Sequence, residues 1–258
     1  MKRFILIIAV FFFIGFSVYS ITTEEILAGY ASISNIPNLS TSLEVKLISA
    51  NGDVREIKAD AYQKNINKNL VSRLFIFNYP PSIRNTGFLI NSFMNGEESV
   101  MWIYLPAVKR VKRISLSTSG GGYFMGSDFS YSDFISKSSL NYSYEYKGEG
   151  QLNGTNCYIV KEYASTLKLQ QDSKISYMID YFRKDDFIMY GRNFYDLAGE
   201  LVKEFRVKEV ITLDQYIYPT VIEMKNVQTG HRSIIEITNP RIEEIPDRYF
   251  TTRYLQKR

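Results

Sequence analysis

His231 is the only histidine in the 258-residue chain, so any chemistry that needs an imidazole must happen there. A serine–histidine–acid relay also needs a nucleophile on a tight elbow, and no Gly-x-Ser-x-Gly stretch accompanies His231. A transition-metal site needs several imidazole, thiolate or carboxylate donors at fixed spacing. Cys157 is the only cysteine, and neither a His-x-x-His nor a Cys-x-x-Cys pattern occurs. No catalytic set, metal or cofactor is therefore expected. His231 directly follows Gly230, and a place at a hairpin end accounts for it. Gly120-Gly121-Gly122 has the composition of a phosphate loop but lacks the Gly-Lys-Ser/Thr that would hold phosphate and magnesium. It reads as a flexible connection. Asp128 and Asp133 read as charges favoured at a helix N-terminus rather than as an acid/base pair.

One dense charge cluster remains, at Lys109, Arg110, Lys112 and Arg113. On a strand, alternate side chains face opposite ways, so these cations would point to both sides. Two readings stay open. Lys and Arg protect a solvated edge strand from aggregation. Alternatively, they touch anionic lipid head groups or an acidic partner, where each cation contributes on the order of 1 kcal/mol.

The elements that must carry these residues are mostly strands. Leu43, Val45 and Leu47 alternate with Glu44 and Lys46, which predicts a half-buried strand. Asn51-Gly52-Asp53 signals a hairpin turn, with a return strand over Val54 to Tyr62. Similar segments recur, among them Val71–Tyr79, Thr86–Phe93, Val100–Leu105, Val108–Leu116 and Leu201–Leu213. About eleven strands at hairpin spacing predict a meandering antiparallel sheet. Thr22 and Glu25 form a capping box that opens a helix ended by Pro37. A second capping box, Ser130 to Asp133, predicts a short helix near Phe134. The stretch around it breaks the strand pattern, so a loop and helix are expected to lie across the sheet's concave face.

Aromatic residues make up 15% of the chain, with 20 Tyr and 17 Phe. They favour strands, and tyrosine suits surfaces with one apolar and one wet side. An apolar concavity and an aromatic-rich ordinary core fit this equally. Lys2-Arg3, the apolar run Phe4–Phe16, and Val18 and Ser20 at the −3 and −1 positions match an export leader cut before Ile21. The competing reading, a retained membrane anchor, requires roughly 18 or more apolar residues. With no cysteine near the cut, a lipid-modified N-terminus of the lipoprotein type is excluded. Residues 1–20 carry two of the cations behind the net charge of +4 and no acid. The remainder is too weakly basic for a nucleic-acid binder. One domain over residues 21–258 is expected.

Several blocks together resemble the LolA-like outer-membrane lipoprotein-sorting family, in particular the subgroup associated with lipid exporters of the resistance-nodulation-division type. They are Asn85-Thr86-Gly87-Phe88-Leu89-Ile90, Met101-Trp102-Ile103-Tyr104-Leu105-Pro106, Val108 to Ser115, and Phe124-Met125-Gly126-Ser127-Asp128-Phe129-Ser130-Tyr131. Weaker matches are Gly154 to Tyr158, Met224-Lys225-Asn226 and Thr229-Gly230-His231. Asn85 departs from the family, standing where a glycine- or arginine-type residue belongs.

The resemblance implies an incomplete antiparallel β-barrel with a helical lid over an apolar cavity. It also implies a carrier or chaperone that moves acyl chains of lipoproteins or lipids through the periplasm toward the outer membrane. Its partners would be an inner-membrane transporter and an outer-membrane acceptor, and no enzyme activity is expected. The rivals are a non-carrying interaction subunit of an envelope transporter and a lipid hydrolase using His231. Either face of the 101–105 strand could line the cavity. The face of Trp102 and Tyr104 is preferred, with Phe88 as a neighbour and Phe124 and Met125 from the lid.

Overall fold

The chain is seen here as a computed structural model that describes residues 21–114 and 122–257. The leader, and Gly120 and Gly121 of the glycine segment, lie outside the described residues. The alternating segments pair as strands: β1 Asn38–Ile48, β2 Val54–Asn67, β3 Leu70–Tyr79, β4 Gly87–Phe93, β5 Val100–Leu105, β6 Arg110–Ile114, β7 Tyr142–Leu152, β8 Thr155–Ala164, β9 Ile175–Arg183, β10 Met189–Asp196, β11 Leu201–Leu213, β12 Tyr216–Asn226 and β13 Arg232–Arg241. They form one antiparallel sheet in the order β6-β5-β4-β3-β2-β1-β13-β12-β11-β10-β9-β8-β7. Among the described residues the sheet has thirteen strands rather than about eleven. Even the cation-rich β6 and the tyrosine-rich β7 find one partner each and become its two edges.

This order dictates where the irregular middle of the chain must go. The chain walks outward from β1 to the β6 edge. It must then reach the opposite edge to begin β7, and it walks back until β13 pairs with β1. The connector between β6 and β7 therefore crosses the full width of the sheet.

The pleat separates two faces. Leu43 and Val45 of β1, Ile57 and Ala59 of β2, Phe75 and Phe77 of β3, Phe88 and Ile90 of β4 and Met101 of β5 share one buried cluster with Met178 of β9, Phe194 of β10, Met224 of β12 and Ile235 of β13. A flat sheet of thirteen strands would be about 60 Å wide, so strands this far apart meet only because the sheet curves around them. The sheet is thus an open barrel, and this face is its concave side. The convex side buries Leu74, Leu89, Ile245, Phe250 and Leu255, the last from a short C-terminal helix, Thr252–Gln256.

The first helix, α1 (Thr23–Ser34), begins with the expected capping box between Thr22 and Glu25. It lies over the concave side between β7 and β12. Ile26 is fully buried there against Val160 and Phe182, and Tyr30 sets its ring edge-on to Phe182 at 5.5 Å. Gly29 permits this approach, because a Cβ at that position would lie 2.5 Å from the Phe187 ring.

β6 begins at Arg110 and not at Val108. Lys109 sits just before it in a left-handed turn with φ 50°, which removes it from the strand's alternation. Asn85, the departure from the family pattern, adopts φ 64°. Asn is, after Gly, among the residues that best tolerate that region.

Candidate functional site

The connector brings a row of aromatic residues down onto the concave floor. Phe124 places its ring 4.4 Å from Phe134, 4.9 Å from Phe88, 5.6 Å from Phe75 and 5.7 Å from Phe77. Phe129 is buried in the same cluster, with Met125, Tyr131, Phe134 and Ile135 packed against it. The turn that aims Phe124 downward uses two left-handed residues, Met125 at φ 53° and Gly126 at φ 77°. Glycine meets that demand without strain. Ser130 and Asp133 then form the expected capping box of a short 3-10 helix, Tyr131–Phe134.

Polar ties fasten the connector along its length. Lys203, buried in β11, reaches Asp133 at 3.1 Å and the Ser130 hydroxyl at 3.3 Å. Arg73 of β3 donates to the Phe134 carbonyl and the Ser136 hydroxyl, both at 3.0 Å. The Ser92 hydroxyl accepts from the Ser136 N–H at 3.1 Å. Asp128 is not a helix-end charge. Its carboxylate contacts His231 Nδ1 at 2.6 Å and accepts from the Ser233 hydroxyl at 2.8 Å. Ser233 is fully buried and bonds the acid instead of the imidazole. The three side chains therefore form a clasp, not a serine–histidine–acid relay.

Beside the apolar floor lies a charge network that sequence reading missed. Arg192 donates to Asp180 through Nε at 2.5 Å and Nη2 at 2.6 Å, and to Glu162 through Nη2 at 2.5 Å. Lys137 from the connector holds the other Glu162 oxygen. The two carboxylates are almost wholly buried. Their only signal in the sequence was a charged residue at an inward-facing strand position, between Val160 and Ala164 and between Met178 and Phe182.

Burial pushes Asp180 up to about 6 against the pull of Arg192, with the charge of Glu162 adding to the rise. Burial also opposes ionisation of Glu162, but Arg192 and Lys137 outweigh it and hold that carboxyl down at about 2. Folding thus favours a protonated Asp180 and an ionised Glu162. The Asp180 contribution is complete below its ordinary value of 3.8 and is lost as pH rises through about 6. The Glu162 contribution is present above 4.5 and is lost only as pH falls through about 2. The stability of wild type relative to Asp180→Asn, read from urea midpoints, is expected to fall from pH 5 to pH 8. A difference constant over that range would exclude the Asp180 titration.

Between the connector and the strands lies a cavity of about 220 Å³, lined by Leu39, Leu43, Phe75, Ile135, Ile222 and Ile237 among its apolar walls. Its polar wall includes Arg73, Gln63, Asp133 and Tyr218. A second, small apolar void of about 20 Å³ lies under Phe124, Met125 and Phe134.

The structure brings some of the sequence-selected residues together and separates others. Phe88, Phe124 and Met125 meet on the concave side. Trp102 and Tyr104 do not. They pack on the convex side near Leu74, Leu89 and Phe250. The register explains this, because Trp102 faces Leu89 while Met101 faces Ile90 and Ile103 faces Phe88 across the β4–β5 ladder. A strand's two faces exchange completely with a shift of one residue. Met101 and Ile103 are therefore the concave-side residues of β5. In β6, Lys112 pairs with Ile103 and Arg113 with Trp102, so the cations do point both ways. Lys109, Arg110, Lys112 and Arg113 are all exposed along the free edge, away from the connector clasp.

A family model with the description "Uncharacterized protein" matches residues 70–257. No curated protein matches the sequence. Among solved structures, a domain described as outer membrane lipoprotein-sorting from Vibrio parahaemolyticus superposes with a TM-score of 0.83 at 24% identity, covering 90% of this chain and 97% of that one. A DUF1329 family protein from Desulfovibrio piger gives 0.80 at 24% identity over 89% and 98%. A LolA superfamily protein from Nitrosomonas europaea gives 0.70 at 16% identity over 91% and 100%.

Proposed function

Because the chain belongs to the family whose model spans residues 70–257 and has the open-barrel fold of the LolA superfamily, we propose that it is a periplasmic carrier for the acyl chains of lipids or lipoproteins. The observation that carries this reading is the 220 Å³ cavity, walled mostly by hydrocarbon, beneath a connector that spans the sheet. Each methylene moved from water into such a site contributes about 0.8 kcal/mol. A dry cavity of about 150 Å³ already admits benzene, and the hydrocarbon wall of this larger, partly open one offers room for a short length of chain. A longer chain needs the connector to lift and give up its place on Phe75, Phe77 and Phe88. The connector is then the lid, and Phe88, Phe124 and Met125, joined by Met101 and Ile103, supply the chain contacts.

Export through residues 1–20 delivers the carrier to the periplasm, where it works as one half-barrel unit. The donor is an inner-membrane transporter and the acceptor lies in the outer membrane. The exposed cations of β6 meet anionic head groups or an acidic face on either. A non-carrying interaction subunit has no use for an apolar cavity, and the bonding of Ser233 to Asp128 argues against a hydrolase.

Lipid extraction of protein purified from its native envelope, followed by mass spectrometry, is expected to recover acyl lipid in stoichiometric amount. A reporter experiment locates the site. A brominated fatty acid is expected to quench tryptophan placed by Met125→Trp in a Trp102→Phe background, and to leave the native Trp102 on the convex side unquenched. Protein free of lipid, with neither tryptophan quenched, would end the carrier reading.

A further inference from the structure

Among the described residues, Arg73, Lys137, Arg192 and Lys203 are cations whose side chains bond to the connector or to the charge network on the concave side. Three of them face carboxylates, Lys137 and Arg192 in the Glu162–Asp180 network and Lys203 at Asp133. Arg73 has no carboxylate partner among the described residues. Its partners are neutral oxygens: Gln63 Oε1 accepts from Nε at 2.8 Å, and the Phe134 carbonyl and Ser136 hydroxyl accept from Nη1 at 3.0 Å. A guanidinium carries five N–H donors. These bonds use three of them, and no bond from Nη2 is formed among the described residues.

Arg73 also lines the 220 Å³ cavity. Burial, opposed only weakly by Tyr218 and Tyr30, pulls it down to about 10, so it remains a cation at neutral pH. Asp133, the carboxylate on the same wall, is already engaged by Lys203 and by the backbone and hydroxyl of Ser130. The cavity, partly open and walled mostly by hydrocarbon, therefore holds one positive charge with no carboxylate bonded to it and two N–H donors without an acceptor among the described residues. Tyr218 stands on the same wall, and burial pushes its hydroxyl up to about 12, so it stays protonated and able to donate. A buried charge without a partner is costly, and an anion arriving with its own hydrocarbon would relieve that cost.

We propose that Arg73 binds the anionic oxygens of an amphiphile, a carboxylate or a phosphate, while its hydrocarbon chain occupies the cavity and the apolar floor. This inference rests on the carrier reading and narrows it to acidic lipids. A planar guanidinium edge suits two oxygens at once, and neutral acyl lipids would leave the charge unrelieved.

The test compares oleate with oleyl alcohol, which share a chain and differ in head charge, by calorimetric titration of the purified protein. Wild type is expected to bind oleate on the order of tenfold or more tighter than the alcohol. Arg73→Gln should bring the two affinities together while alcohol binding persists, which also reports that the variant is folded. Arg73→Lys should keep part of the preference. Ser136→Ala removes one tie of the same guanidinium to the connector but leaves the charge, and should keep all of it. Phosphatidic acid against diacylglycerol repeats the comparison for phosphate and distinguishes the two head groups.

A measurement on the wild type covers the case in which Arg73→Gln does not fold. The carboxyl of bound carboxyl-¹³C oleate should titrate below that of free monomeric oleate. Equal affinity for oleate and alcohol in the wild type, a preference that survives in Arg73→Gln, or an unlowered carboxyl titration overturns the inference and leaves the carrier reading standing. Binding of neither amphiphile overturns both.

Discussion

Replacing Arg192 with methionine is expected to remove about 3–5 kcal/mol of stability, because it leaves two buried carboxylates with Lys137 as their only cation. Arg192 binds both oxygens of Asp180 and one of Glu162 within 2.6 Å, and both acids are nearly inaccessible. Burial by itself would lower Arg192, yet the two carboxylates raise it above its ordinary value, so the cation and its acids stabilise each other. Urea denaturation at pH 7 measures the loss. A combined Arg192→Met, Asp180→Asn, Glu162→Gln, Lys137→Met protein should recover much of it, since well-packed neutral groups often replace a buried ion network without penalty. A loss below about 1 kcal/mol for the single variant would mean that water reaches the network and screens it.

Phe124→Ala is expected to act locally and strongly. A buried phenylalanine cut to alanine loses about 3–5 kcal/mol, and Phe124 contacts the rings of Phe75, Phe77, Phe88 and Phe134 together. If residues 123–135 open as a unit, that loss appears as faster amide exchange there, about 100-fold or more, while β1–β5 exchange as before. A bound fatty acid should restore protection in the same segment. An equal rise across all strands would show that the connector is an inseparable part of the core. It would then not be a lid.

Local signals were legible where a few neighbouring residues decide the outcome. The boxes at Thr22–Glu25 and Ser130–Asp133 form as read, because a cap is a contract between residues three apart. Strands Val100–Leu105 and Leu201–Leu213 have the expected bounds. The turns at Gly52, Gly154, Gly199 and Gly230 all take positive φ, which their side-chain-free backbone allows. Lys109 escaped this reading because a left-handed turn after Pro106 leaves little trace in a run of cations.

The site itself was half legible. Phe88, Phe124 and Met125, picked through the blocks they sit in, meet on the concave side. Trp102 and Tyr104 were assigned to the wrong side, because alternation tells which residues share a face and never which face is concave. Pairing of β5 with β4 decides that. Asp128, read as a helix charge, meets partners 103 and 105 residues away.

By itself, the sequence determined the alternating strands, the turns between them, the capped helix starts and the aromatic surplus, all set by forces acting over a few residues. Tertiary structure alone decided three things. The thirteen-strand order sends the connector across the concave side, because it must join two opposite edges. Register across the adjacent strands β8, β9 and β10 sets Glu162, Asp180 and Arg192 side by side, and the connector adds Lys137 to the buried network. Sheet curvature and the connector leave Arg73 facing a cavity with no carboxylate bonded to it among the described residues. Electrostatic pairing and desolvation depend on distances in space, and those exist only once the strands have paired and the sheet has curled.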